Sequence, residues 1–427
     1  MNLVNVVFCS ILIDYLGVYG YNGNMSEIKY RHEDLDFLRE HIAHHHSVEL
    51  VGMRRVGINN FLRTFFDMHQ FGKTDRQMYI FIDLNNLVER EAFPFWQLTL
   101  KRIADAVRDV VSEPKLRREV TTIFETAIQY QNLQMTYDGV RESLAALVAN
   151  DISPVIFFNR FDRVVNMMSE SFIDNIHGLY DASGRQLSCV FTSYRPLADF
   201  YGKKLPFDQY YTHYLKPFDE KGVSAHTNEY EKKYKMNINE ETRTQLATLS
   251  GGHFQYLRLL MDLLRESKLT QDGLNAAALR DERITLLSEE LWESLTDEEK
   301  KALKESITGG TTTSPYLLNT GMVKDGNFFS PLFKAYVRGK SGTQHGGQAV
   351  EFTRKEHVLF NVLKEHLEMV CERDQIIEKV WPESMEDGIS DWSIDKLMER
   401  LREKIKKQGL PYRVVTVRTR GYKLVKI

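Results

Sequence analysis

Four short apolar runs, separated by stretches with helical spacing, constrain the first half of this chain more than any other feature. They are SVELVGM (47–53), QMYIFIDL (77–84), SPVIFFNRF (153–161) and LSCVFTSY (187–194). Each is rich in β-branched and aromatic residues and almost continuously apolar, as strands buried on both faces are. Helical segments such as 95–111 and 113–149 lie between them, and strands alternating with helices favour a parallel α/β sheet. After Lys216 the texture changes to helices only, with 241–249, 254–265 and a capping box, Thr296-x-x-Glu299, ahead of KKALKES. A helical lid or small winged module is expected there.

The first strand runs into VELVGMRRVGINNFL (48–62), which reads as strand, glycine loop and helix start. A phosphate-binding loop of the form G-x-x-x-x-G-K-[ST] needs Lys on the β/γ-phosphates and a hydroxyl on Mg²⁺. Gly52 and Gly57 have the spacing, but Ile58 and Asn59 follow them. A tight strand-to-helix turn explains the glycines equally well. Backbone N–H groups at a helix start still attract anions. Arg54 and Arg55 either add charge to such a site or are solvated or hold the loop by ion pairs.

At 427 residues the chain has room for about two to four domains. A formal net charge of −3 with 27% charged residues excludes a chain that is basic throughout, so any nucleic-acid surface must be local. Cys9, Cys189 and Cys371 form no C-x-x-C pair, which gives neither a disulfide framework nor a zinc site and points to a reducing cytoplasm. The apolar run from Val4 to Leu16 lacks a preceding Lys or Arg and is broken by Asp14, so it fits neither a signal peptide nor a membrane span. Residues 1–24 are expected to be an extension ahead of a fresh start at Met25. Adjacent His44, His45 and His46 point in different directions on a helix or strand, which favours a solvated loop over a metal site; no metal ligand set is expected.

RGKSGTQHGGQAV (338–350) has no apolar period and reads as a linker. Beyond it, Thr353-x-x-Glu356 is a second capping box, and Val358, Leu359, Val362, Leu363 and Leu367 share one helix face. A helix WSIDKLMERLREKIKKQ and a hairpin YRVVTVRTRGYKLVKI close the chain. From 396 to 427 stand Lys396, Arg400, Arg402, Lys404, Lys406, Lys407, Arg413, Arg418, Arg420, Lys423 and Lys426 against only Glu399 and Glu403. Ile394, Leu397, Leu401 and Ile405 must face the core, leaving Trp392, Ser393, Lys396, Arg400, Glu403, Lys404 and Lys407 outward. Such a row either suits the major groove, where Arg and Lys reach base edges and phosphates, or is a solvated charged face.

Over about 29–337 the pieces GMRRVGINNFL, VIFFNRFDRV, FTSYRPL, YLKPFDE, LSGGHFQYLRLL and YLLNTGMVKDGNFFSPLFKAYV resemble, in order, the motifs of archaeal-type ATPases of the AAA+/STAND group. The resemblance implies a P-loop NTPase-like parallel sheet with a helical lid and an internal winged segment. In that family hydrolysis would need the loop lysine, a hydroxyl on Mg²⁺ and an Asp-Glu pair ending the third strand. Ile58, Asn59, Asn159 and Arg160 stand at those four places. Removing one such stabiliser typically costs about 10²–10³ in rate, so no ATPase activity and no catalytic residue are expected. No cofactor is required, although ATP or ADP could still bind through Gly52, Arg54, Arg55, Gly57 and Asn59. Asp162 is expected as a helix cap rather than a displaced metal ligand, and Arg195 in a structural ion pair rather than as an arginine finger.

From Phe352 to Ile427, FTRKEHVLFNVLKEH, DQIIEKVW, WSIDKLMERLREKI and PYRVVTVRTRGYKLV resemble the winged-helix effector domain of OmpR/PhoB-type response regulators. Asp395, Leu401, Arg402, Lys404, Thr416, Val417, Gly421 and Tyr422 stand at matching places. The resemblance assigns Trp392, Ser393, Lys396, Arg400 and Lys404 to a recognition helix, and Arg418, Thr419 and Arg420 to a wing entering the minor groove; Lys407, from the outward row, is a further DNA-binding candidate. The expected order is therefore an extension (1–24), a P-loop-like α/β domain (25–218), a helical lid with winged segment (219–337), a linker (338–350) and a winged helix (351–427). The expected protein is a cytoplasmic regulator that binds double-stranded DNA, with a core serving homo-oligomerisation or a protein partner and no membrane association. A nucleotide-governed switch and a protein-interaction scaffold are the alternatives.

Overall fold

The computed structural model describes residues 30–68, 76–87, 89–167, 169–202, 209–267, 273–310, 314–341, 352, 354–381, 391–417 and 420–427. The first unit runs α1 (His32–Ala43), β1 (Ser47–Val51), α2 (Ile58–Met68), β2 (Gln77–Asp83), α3 (Ala92–Val110), α4 (Pro114–Tyr130) and α5 (Leu133–Ala149). It continues through β3 (Ser153–Asn159), α6 (Glu170–Ala182), β4 (Ser188–Ser193), α7 (Leu197–Tyr201) and β5 (Tyr210–Tyr214). The strands form one sheet in the order β2-β3-β4-β1-β5, with every pairing parallel.

The period of two along each strand divides the core between the two faces. Met78, Ile80, Ile82, Ile156, Phe158, Cys189 and Phe191 pack with α3, α4, α5 and α6. Val48, Leu50, Tyr79, Val155, Phe157 and Val190 face α1, α2 and the helices that follow the sheet. The helix expected over 113–149 is two helices. Gln131 turns left-handed at φ 45, and the Asn132 side chain then caps α5 by accepting from the N–H groups of Gln134 and Met135. β5 was not foreseen, because its half-exposed YYTHY lacks the aliphatic run of a central strand; it lies at the sheet edge.

The second unit is α8 (Glu220–Tyr234), α9 (Glu240–Ser250), α10 (Phe254–Ser267), α11 (Leu274–Arg280), α12 (Glu282–Glu293), α13 (Asp297–Ile307) and α14 (Pro315–Asn319). The antiparallel pair β6 (Val323–Lys324) and β7 (Asn327–Phe328) forms its small wing, and α15 (Pro331–Ser341) ends it. The capping box at Thr296 and Glu299 is present in full. α15 extends into the expected linker as far as Ser341; 342–350 lie outside the described residues, as do 1–24.

The third unit is α16 (Arg354–Glu365), β8 (Val370–Glu372), α17 (Arg373–Val380), α18 (Asp391–Lys407), β9 (Tyr412–Val417) and β10 (Gly421–Lys426), with the antiparallel sheet β8-β10-β9. Ile394, Leu397, Leu401 and Ile405 of α18 are buried against Leu359, Leu363, Ile376, Trp381 and Leu424. Leu286 of α12 belongs to the same apolar cluster. Thr353 of the second capping box lies outside the described residues. No helix among the described residues is long and apolar enough to cross a membrane.

Candidate functional site

The glycine loop leaves the C-terminal end of β1, where ligands of open α/β sheets bind. Both glycines are sterically required. A Cβ on Gly52 would lie 2.7 Å from Val56 Cγ1, and Gly57 has φ +107 with Phe254 Cβ only 3.2 Å from where its own Cβ would be. Phe254 opens α10, so the lid is in contact with the loop. His253, fully buried, donates from Nε2 to the Arg54 carbonyl at 2.9 Å and accepts the Tyr256 N–H at Nδ1. Burial pushes this imidazole down to about 4, so it sits neutral.

Arg54 and Arg55 both turn toward Glu290 of α12, at 4.0 and 3.6 Å, and the Arg54 guanidinium stacks 3.7 Å from the centroid of Tyr194. Both arginines thus lie within ion-pair reach of the same buried carboxylate. Ile58 packs back against the core, whereas Asn59 is exposed.

At the end of β3, Asn159 is fully buried in a polar chain. Its amide donates to Asp83 at 3.4 Å, and its carbonyl accepts from Thr192 Oγ1 at 2.8 Å. Thr192 in turn accepts the Arg160 N–H at 2.8 Å. Arg160, at φ 62, folds over Asp162 with two bonds of 3.1 and 3.0 Å. Asp162 is therefore the partner of a guanidinium and not the helix cap expected for it. Arg195 makes a bidentate pair with buried Glu299 at 2.9 and 3.0 Å and reaches Asp199 at 3.0 Å. The pair with Glu299 is the kind of ion pair expected for Arg195.

His44, His45 and His46 turn α1 into β1 rather than forming a wholly solvated loop. His44 Nδ1 meets the Glu40 carbonyl at 2.8 Å, and His46 packs near His41 and Tyr211. Among the described residues no group of three His, Cys, Asp or Glu could hold a metal ion.

In the third unit, several residues that match the effector-domain pattern hold its helix to its hairpin. Asp395 accepts from Arg373 at 2.7 Å and from the Tyr422 hydroxyl. Arg402 donates to the Val414 carbonyl at 3.0 Å and to Thr416 at 2.7 Å. The row expected to face outward on α18 is only partly so. Ser393, Lys396, Arg400 and Lys404 are half-buried, while Glu403 and Lys407 are exposed. Lys404 Nζ is 2.5 Å from the buried carboxylate of Glu356 on α16, Lys396 pairs with Glu399 at 3.0 Å, and Lys407 lies 3.9 Å from Glu403. Arg400 forms an ion pair with Glu289 of α12, outside its own unit. Trp392 lies in the first turn of α18; Arg420 is exposed at the end of the β9–β10 turn, and Arg418 and Thr419 lie outside the described residues.

The structure thus brings Arg54 and Arg55 to Glu290 of α12 and Gly57 to Phe254 of α10, and places Lys396, Arg400 and Lys404 along one helix. Glu289, Glu290 and His253 were missed. An acidic SEELWE segment looks like any solvated helix face, and partners more than a hundred residues away leave no local trace.

Residues 347–424 match the family model described as "Transcriptional regulatory protein, C terminal". The transcriptional regulatory protein YxdJ of Bacillus subtilis (strain 168) is 35% identical over 74 residues, which are 17% of this chain. The chain spans 31% of the length of that relative. Among solved structures, the Walker-type ATPase PABY2304 of Pyrococcus abyssi has a TM-score of 0.50 at 15% identity, covering 76% of this chain and 99% of its own. The Aeropyrum pernix ORC2 protein has a TM-score of 0.42 at 11% identity, over 91% of this chain and 97% of that one. At such identity the first of these likenesses establishes fold alone. Residues 347–424 thus match the transcriptional-regulator C-terminal family model, the third unit has the helices and antiparallel sheet of a winged helix, and the core before it has a P-loop NTPase-like fold.

Proposed function

We propose that this chain is a cytoplasmic regulator that binds duplex DNA through its C-terminal unit, on a core that does not hydrolyse ATP and serves oligomerisation or the sensing of a protein partner. What carries this is the family match over 347–424, joined to a basic helix braced on a hairpin by Arg402 and Asp395. Ser393, Lys396, Arg400 and Lys407 would meet the major groove with Trp392 beside them, and Arg418, Thr419 and Arg420 the adjacent minor groove. Lys404, tied to buried Glu356, holds α18 in place rather than reading bases.

The residues at the glycine loop do not fit a magnesium nucleotide. Ile58 offers no charge to the phosphates, Arg54 and Arg55 are turned to Glu290, and Phe254 lies on Gly57. At the metal position an amide is committed to Asp83 and Thr192, and Arg160 to Asp162. Several heads on one oligomer would add avidity, so repeated DNA half-sites are expected.

Retardation of a random duplex across a salt series tests the DNA assignment. Binding should weaken with salt, and Lys396→Ala with Arg420→Ala should reduce the slope by about one unit for each phosphate interaction removed. No retardation at low salt, by the natural chain and by a Glu289→Gln variant that frees Arg400 of its carboxylate, would leave a protein-interaction scaffold as the better account. Calorimetric binding of ATP·Mg²⁺ in the micromolar range, or steady release of phosphate, would overturn the account of the core.

A further inference from the structure

We infer that α12 of the core clasps the DNA-reading helix α18, so that the chain as folded here is closed to DNA until that clasp opens. This rests on the DNA-binding assignment above. α12 packs directly on α18, and the interface joins an ion pair to an apolar seam. Arg400, the residue of the recognition row best suited to bidentate contact with guanine, is paired with Glu289, whose side chain is only 9% exposed. One turn before Glu289, Leu286 is 2% exposed within the apolar cluster of the winged helix.

Glu282 lies two turns before Glu289 on the same face of α12. Its charge also acts on Arg400, whose guanidinium burial pulls below its ordinary value. A pair of carboxylates thus stands where a DNA phosphate or a base edge would otherwise meet the guanidinium. Packed helices lie about 8–10 Å apart, so a duplex cannot occupy the Arg400 face of α18 while α12 is there. The unexpected half-burial of Lys396 and Arg400 is consistent with this.

The test compares the natural full-length chain with Glu289→Gln, which preserves shape and removes the charge. Fluorescence anisotropy of a labelled random duplex at low salt should show about tenfold tighter binding by the variant, because only the open fraction binds. Hydrogen exchange over 391–407 without DNA should be faster in the variant, and thermal melting checks that both chains are folded. Equal affinity and equal exchange would overturn the clasp while leaving the DNA assignment standing. Failure of both chains to bind would overturn the DNA assignment, and the clasp with it.

Discussion

Glu289 and Glu290 are adjacent on α12, and each meets a different end of the molecule: Glu290 faces Arg54 and Arg55 of the glycine loop, and Glu289 faces Arg400 of α18. One helix therefore touches both places at which this chain carries the marks of a function. The two carboxylates should nonetheless be separable. Glu290→Gln leaves two half-buried guanidiniums facing a neutral amide, and the ion pairs it removes are long, so unfolding stability should fall by about 1 kcal/mol. Urea midpoints would show this, with DNA affinity unchanged. A change in affinity like that expected for Glu289→Gln would mean that the loop and the reading helix act as one unit.

Arg195 should prove structural. Its pair with Glu299 is shielded on both sides, with side-chain exposures of 10% and 8%. Removing one partner of such a pair costs about 3–5 kcal/mol, because the other charge is left buried and alone. Arg195→Ala should therefore lower the denaturation midpoint sharply. An arginine finger reaching a neighbouring subunit would instead leave the isolated chain's stability nearly intact.

His253 sets an acid limit. Its folded value of about 4 lies below the ordinary 6.5 because burial disfavours the cation. A depressed base binds fewer protons folded than unfolded. Its stabilising contribution is complete above about pH 6.5 and is lost as the pH falls toward 4, reaching about 3 kcal/mol. His253→Gln keeps an N–H for the Arg54 carbonyl and does not titrate. Between pH 7.5 and 5 the natural chain should lose more stability than the variant, as read by urea unfolding at each pH; parallel losses would refute the assignment.

Much of this architecture was legible, and the reason is periodicity. Strands buried on both faces announce themselves by composition, and the face of Ile394, Leu397, Leu401 and Ile405 by spacing; all four are buried. The box at Thr296 and Glu299 needed only its own four residues. What escaped depends on neighbours distant in sequence. β5 is a strand because β1 offers it an edge, and β8 because β10 does. Arg54, Arg55 and Arg400 were recognised as charges, but their partners on α12 had no signature. Lys404 was placed with the recognition row by its spacing, although Glu356 on α16 holds it.

Glu49 should make the protein less stable in alkali. It lies on central strand β1, 2% exposed, accepting from the Leu197 N–H and from Thr212 Oγ1 at 3.2 Å. Burial outweighs these bonds and pushes its carboxyl up to about 7 from an ordinary 4.5. A raised acid binds more protons folded than unfolded. The folded state is therefore penalised as pH rises from 4.5, and the penalty is complete above about 7, at about 3 kcal/mol. Glu49→Gln keeps an acceptor for the Leu197 N–H and a donor toward Thr212 without a charge to bury. It should stabilise the chain by up to that amount at pH 8 and by little at pH 4.5. Urea unfolding of the two chains at both pH values would decide it, and a gain at pH 4.5 equal to that at pH 8 would show that packing, and not ionisation, separates them.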